Sequence, residues 1–411
     1  MARLESKTAL DIEPFGPAHA STSNIGGTTA RSIWPVAKQV RSHLLKPYTM
    51  SACRYFFLFS AFAHEHDLRK VHEKLIHTMA IPFISTTAFA GITDYIEESA
   101  GDEVLFAAFE RAELPFEAGQ ERGRFIPQRS FINVLEQAAR LSDDRNLGLN
   151  LASKLDISTW GPYGQYVLEA ADAPEAFRRG KRALKFHGSI DTLDVKVSND
   201  ELTVLYKVPT AGVVGYRHFA PAATRILMSV VDHFVEGPAT PVRVELDFAK
   251  PANWSIHEER FGCPVWFDRP QIAIVYRLQP CRPQPTNVDV QHALTLGDLD
   301  RMLGSQAPTR LPDVVKEMIR LSLTNGSVDI DKIGCHLGIG VRSLQRKLAE
   351  DNCYFRDLVL QVRAERATEL LGETSISITE IAMTLGYSSS AHFTRAFKQT
   401  MGCTPREFRS A

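Results

Sequence analysis

With 411 residues, 44% of them hydrophobic and 23% charged, and a formal net charge of −1, the chain is too long for one ordinary core and lacks the global positive charge of a general polyanion binder. Any nucleic-acid footprint must be local. The six cysteines (Cys53, Cys263, Cys281, Cys335, Cys353, Cys403) form no C-x-x-C pair and no Cys/His group at zinc spacing, so neither a disulfide framework nor a metal site is indicated, and a reducing cytoplasm fits.

Residues 1–79 read as a disordered leader, rich in Ser, Thr, Ala and Gly (Ser21-Thr22-Ser23-Asn24-Ile25-Gly26-Gly27), with Met50 and Met79 as alternative starts to Met1. The apolar run at 55–63 is well short of the roughly 20 residues a membrane-spanning helix needs. Its Ala61-Phe62-Ala63 lies too deep in the chain for a signal peptide, and the scattered Lys38, Arg41 and Lys46 read as solvated charges.

Residues 80–285 read as an α+β domain. Helical patterns at 131–141 and 174–186 alternate with strand-like runs at 193–197, 202–208, 242–248 and 272–276. Asp194-Val195-Lys196-Val197 and Leu202-Thr203-Val204-Leu205-Tyr206 flank Ser198-Asn199-Asp200-Glu201, the turn chemistry of a hairpin within one sheet. Tyr163, Tyr216, Arg217 and His218, polar-tipped and close to glycines, are the candidate lining of a small-molecule pocket. Cys263 and His257 lack the surrounding turn of a nucleophile and read as packing residues.

Three prolines within 279–285 mark a boundary, after which the chain is helical: 286–309 as a linker, then an all-α domain over 310–411. In that domain the sequence repeats itself 48 residues apart (330 to 378): Ile330-Asp331-Lys332-Ile333-Gly334-Cys335-His336-Leu337-Gly338 answers to Ile378-Thr379-Glu380-Ile381-Ala382-Met383-Thr384-Leu385-Gly386. Ile, Ile and Leu recur on one helix face, a small residue admits a crossing helix, and a glycine makes the turn, which is helix-turn-helix grammar. The second helix of each copy starts after Gly340 and at Ser388, a good cap.

In copy one Val341, Leu344 and Leu348 point inward while Arg342, Gln345 and Arg346 stand outward, the side chains suited to guanine and adenine edges; Lys347 is placed for phosphate. In copy two Phe393 and Phe397 are the inward residues, Ser390, His392, Thr394 and Arg395 are the candidate base readers and Lys398 the phosphate contact. A helix over 355–371, about 25 Å long, spaces the two readers for a bipartite site about one DNA turn, roughly 34 Å, across. The plainer reading of each copy is a helical hairpin with solvated arginines.

Residues 330–411 resemble the DNA-binding domain of the AraC/XylS family of bacterial transcription regulators. The resemblance rests on Leu344-Gln345-Arg346-Lys347-Leu348, Ile378 through Tyr387, His392-Phe393-Thr394-Arg395-Ala396-Phe397-Lys398 and Gly402-Cys403-Thr404-Pro405-Arg406-Glu407-Phe408-Arg409, where Gly402 and Pro405 end the recognition helix. Three residues depart from the pattern: Gly334 for alanine, Gly340 for a capping serine, and Asn352 for glycine. Gly334 is expected to cost about 1 kcal/mol of helix propensity, leaving the first unit to order more fully on DNA.

Upstream, Phe125-Ile126-Pro127, Trp160-Gly161-Pro162-Tyr163-Gly164 and Phe261-Gly262-Cys263-Pro264-Val265-Trp266-Phe267 resemble the effector domain of the subgroup holding ornithine- and virulence-linked regulators. The resemblance implies double-stranded DNA and a small-molecule effector as partners, RNA polymerase and a second copy of the chain as further ones, and no cofactor or membrane. No phosphate-binding, dinucleotide, zinc-protease or hydrolase motif argues for an enzyme. Two alternatives stay open: a constitutive binder in which 80–285 only dimerises with help from 288–303, and a metabolite-processing enzyme tethered to DNA.

Overall fold

The computed structural model describes residues 81–120, 123–198, 200–237, 239–277, 293–324 and 328–410. The expected leader and the proline-rich boundary at 279–285 lie outside the described residues.

The first half opens with strand β1 (Phe83–Ser85), helices α1 (Ile92–Ala100) and α2 (Asp102–Arg111), strand β2 (Phe125–Pro127) and helix α3 (Gln128–Leu141). Helices α4 (Gly161–Leu168) and α5 (Ala173–Ala183) follow, then the hairpin β3 (Thr192–Ser198) and β4 (Glu201–Lys207) and the long helix α6 (Tyr216–Asp232). Strand β5 (Arg243–Glu245), helix α7 (Ser255–Phe261), strands β6 (Val265–Trp266) and β7 (Ile272–Arg277), and helix α8 (Leu296–Leu303) come next, with single helical turns such as Glu117–Gln120 and Leu147–Asn150 between the longer elements.

β1 and β2 pair antiparallel as a separate ribbon, while the other strands form a five-stranded sheet in the order β3-β4-β7-β5-β6, antiparallel except for β5 with β6. The expected hairpin is present, with Ser198 opposite Glu201 and Asp200 at φ 62° in its turn. The run expected as a strand over 242–248 is one only at Arg243–Glu245. Beyond Glu245 the Leu246 amide donates to the Trp266 carbonyl at 2.7 Å and the Leu246 carbonyl accepts from the Arg269 amide at 3.0 Å, so the chain leaves the β7 ladder.

Of the expected linker over 286–309, the described residues 293–309 are helical in α8, and α8 belongs to the first domain's core. Thr295 and Asp298 form a reciprocal capping box, Leu299 is fully buried in that core, and the Leu294 amide donates to Glu169 at 2.8 Å. From Gly304 the chain runs on without helix, held by the Ala307 amide donating to the Lys185 carbonyl at 2.8 Å.

The second half is α9 (Leu311–Thr324), α10 (Ile330–His336), α11 (Val341–Glu350), α12 (Phe355–Glu373), α13 (Ile378–Thr384), α14 (Ser390–Met401) and α15 (Pro405–Ser410). The two copies make the same turn. Ile339 N–H donates to Gly334 C=O at 2.8 Å and Tyr387 N–H to Ala382 C=O at 2.9 Å, with Gly338 and Gly386 both at positive φ. Each copy has its own core, and α12 crosses both: Leu358 and Val362 pack in the first, Ala367 and Leu371 in the second.

Three local readings change. The cap of α14 is Ser389, one residue later than expected, and it accepts from the His392 amide at 3.3 Å. Gly402 ends α14 in a left-handed cap as expected, but Pro405 opens α15, whose first turn Thr404 and Glu407 close reciprocally. Gly334 is a fitted residue, because a Cβ there would lie 2.7 Å from the Ile339 carbonyl oxygen. Gly334→Ala is therefore expected to lower stability by about 1–2 kcal/mol despite its better helix propensity; urea titration of the full chain showing a gain would contradict this.

Candidate functional site

Helices α3, α4, α5 and α6 and strand β1 enclose a cavity beside the main core, with about 70 Å³ open to the centres of water-sized molecules. Its wall is mostly aliphatic and aromatic, including Ile84, Phe131, Trp160, Phe177 and Phe219. The sequence builds it with the glycines of Trp160-Gly161-Pro162-Tyr163-Gly164: a Cβ on Gly164 would lie 2.0 Å from the Ile157 carbonyl oxygen, so only glycine lets α4 close against the preceding turn.

The polar groups of the wall are few. Tyr163 donates to the Gly180 carbonyl at 3.2 Å. Tyr206 donates to Asp191 at 2.7 Å, and Gln128 donates to both oxygens of that carboxylate while accepting from Thr210. His187 stacks on Trp160 with ring centroids 4.2 Å apart, and burial pushes its imidazole down to about 3, so it is neutral. The indole N–H of Trp160 is buried and has no hydrogen-bond partner among the described residues.

β1 joins this cavity to the helical second half. Ile84 faces the cavity and the first core, while its neighbour Phe83 is fully buried in the core of the first helix-turn-helix with Phe125, Val315 and Ile319. Successive strand residues point to opposite faces, so three residues of chain suffice to touch both. The strand is bonded to the cavity wall as well: the Ser85 amide donates to the His187 carbonyl at 2.7 Å. A second contact crosses the same junction, His336 of α10 to Glu113 at 3.0 Å.

On the far side, α11 exposes Arg342, Gln345 and Arg346, half-buries Lys347, and buries Leu344 and Leu348. Arg346 lies 4.0 Å from Glu350, an exposed pair worth little and readily exchanged for another acceptor. On α14, His392, Arg395 and Lys398 are exposed and Ser390 and Thr394 half-buried. The Thr394 hydroxyl donates to the Ser390 carbonyl at 2.8 Å, and His392 Nδ1 lies 3.1 Å from the Ser388 hydroxyl. α14 thus holds more of these polar groups in contacts with itself and the turn before it.

Residues 106–280 match the model of the arabinose-binding N-terminal domain of AraC transcription regulators, and residues 335–411 a helix-turn-helix domain model. The regulator VirS of Mycobacterium tuberculosis is 25% identical over 336 residues, 80% of this chain and 96% of that protein. The ornithine utilization regulator of Pseudomonas aeruginosa is 25% identical over 291 residues, 68% and 83% of the two chains. The crystal structure of CdpR from Pseudomonas aeruginosa is 20% identical, covering 75% of this chain and 97% of that one at a TM-score of 0.33. The chain belongs to the AraC family of transcription regulators. It carries a ligand-binding α+β domain followed by a helical DNA-binding domain with two helix-turn-helix units.

Of the four residues expected to line this AraC-family regulator's pocket, only Tyr163 does. Tyr216 donates to Asp247 at 2.9 Å. His218 and Arg217 each lie 3.6 Å from the buried Glu136, which also pairs with Arg140 at 2.6 Å. Burial and the Arg217 charge push His218 down to about 4. These three residues sit at the start of α6, whereas its middle turns, Ala222 to Val230, face the cavity. The wall residues missed by sequence reading, Phe131, Phe177, His187, Tyr206 and Phe219, follow core periodicity and carry no separate signal. Cys263 is buried, which pushes its thiol up to about 11, the opposite of an activated nucleophile.

Asp191, also missed, anchors Tyr206 from behind the wall, and burial pushes its carboxyl up to about 6. A folded state that holds the proton more tightly than the unfolded chain is favoured at low pH, and that advantage is lost as pH rises through the folded value. Relative to Asp191→Asn, the native chain should therefore lose on the order of 2–3 kcal/mol of stability between about pH 4 and pH 7. Parallel pH dependence of the two in denaturant titrations would contradict it.

Proposed function

We propose that this regulator reads a bipartite double-stranded DNA site with α11 and α14, and that a small molecule in the α3–α6 cavity sets how α11 is presented. The observation that carries the second half is β1, one residue of which lies in the cavity wall and the next in the core beneath α11. Support for the first half is the exposure of Arg342, Gln345, Arg346, His392 and Arg395 on helices whose apolar faces are buried. In this reading Ser390 and Thr394 complete base recognition, and Lys347 and Lys398 hold phosphates.

The 19 residues of α12 span about 28 Å, close to the roughly 34 Å of one DNA turn. Two readers in one chain bring a bipartite site within reach of a monomer; a homodimer and contact with RNA polymerase extend the same reading. The chain acts by binding and not by catalysis, at the chromosome in a bacterial cytoplasm; its relatives are named as transcription regulators.

Selection of the full chain on a promoter library at fixed salt tests the readers. Arg346→Ala should weaken the selected site by about 1–3 kcal/mol and relax preference at one half-site. Lys398→Ala should weaken all sequences alike and lower the salt slope by about 1. Equal losses on all sequences for Arg346→Ala would remove that residue from base reading.

A further inference from the structure

The cavity's chemistry restricts what can occupy it, and this inference rests on the reading of the cavity as the effector site. None of the residues lining it is Asp, Glu, Lys or Arg. A carboxylate or ammonium placed there would lose its hydration with no opposite charge to replace it, a cost of many kcal/mol. The carboxylate of Asp191, bonded to the wall residue Tyr206, already receives hydrogen bonds from Gln128 and Tyr206. A sugar fares no better, because the hydroxyl protons of Tyr163 and Tyr206 are already donated to Gly180 and Asp191 and the wall is mostly hydrocarbon, too few polar groups for a ring of hydroxyls.

Among the described residues of the wall, one polar atom is buried without a partner. Trp160 is 8% exposed, stacked on His187, and its Nε1–H is buried without a partner. A buried donor left unmade is costly, and such orphans in native proteins call for a ligand, water or ion to complete them. At about 70 Å³ the space is smaller than the roughly 150 Å³ that holds a benzene, so an aromatic-sized occupant must move the wall, and it is with that movement that it reaches the indole N–H.

We propose that the effector is an uncharged, predominantly apolar molecule bearing one hydrogen-bond acceptor, such as an ester or ketone oxygen, which takes the Trp160 Nε1–H. The apolar wall supplies affinity, and the indole supplies orientation and selects against plain hydrocarbons.

The test uses the full chain and five probes in calorimetry and thermal shift: methyl benzoate, ethylbenzene, benzoate, benzylammonium and L-arabinose. Methyl benzoate should bind and raise Tm, ethylbenzene more weakly, and the two ions and the sugar not at all. Trp160→Phe, which keeps an aromatic ring and removes the N–H, should weaken methyl benzoate about 3- to 10-fold and leave ethylbenzene unchanged. Ala223→Leu, which narrows the cavity from α6, should abolish both. Benzoate, benzylammonium or arabinose binding in an Ala223-sensitive way would overturn the proposed class while leaving the cavity as the effector site. Equal losses of ester and hydrocarbon in Trp160→Phe would overturn the role of the indole. No binding by any probe, or binding indifferent to Ala223→Leu, would overturn the class and the effector site together.

Discussion

The alternation of side chains along β1 is the constraint on which the rest of the molecule depends. Phe83 and Ile84 are adjacent, and the pleat sends one into the first helix-turn-helix and the other into the wall of the α3–α6 cavity. Fully burying a phenylalanine is worth about 1.5–3 kcal/mol, and Phe83 shares its core with Phe125 of the paired strand, so the ribbon is a structural part of the DNA-binding half. The two halves therefore share a strand as well as a linker. A change in the cavity wall that moves β1 must repack the core under α11, since close-packed interiors do not yield gradually.

The two readers are not equivalent, although their turns match bond for bond. The first core reaches back to β1 and β2, and its turn is tight enough to require Gly334. The second draws its buried set from α12, from α13 and its C-cap Leu385, and from α14, and starts α13 with a Ser377–Glu380 capping box. Under the proposed function the first unit, whose core contains β1, is the one placed to feel the cavity's occupant, and the second is an independent anchor. α12 transmits position between them by belonging to both cores.

Much of this was legible in the sequence, for definite physical reasons. The repeat showed because each copy must bury one helix face across a glycine turn, so spacing and residue size are fixed together. The hairpin β3–β4 showed because one face alternates against the core and the turn needs Asp200 at positive φ. The cavity did not show: its wall residues obey the same periodicity as packed core, and whether four helices meet tightly or leave a gap is a tertiary fact. Polarity near glycines pointed to Tyr216, Arg217 and His218, but these satisfy one another and Glu136 and Asp247 away from the cavity. Gly334 was read from propensity alone as a weakness; its need is set by Ile339, five residues on, only once the turn is folded.

The shared strand can be tested as a coupling energy. The full chain, its Ala223→Leu and Phe83→Leu variants and the double variant would be titrated on one selected DNA site. If β1 links the cavity to the first reader, the effects on DNA affinity should depart from additivity by about 1 kcal/mol or more. Additivity within about 0.3–0.5 kcal/mol would mean that the cavity and the first helix-turn-helix do not communicate through this strand, and would contradict the account.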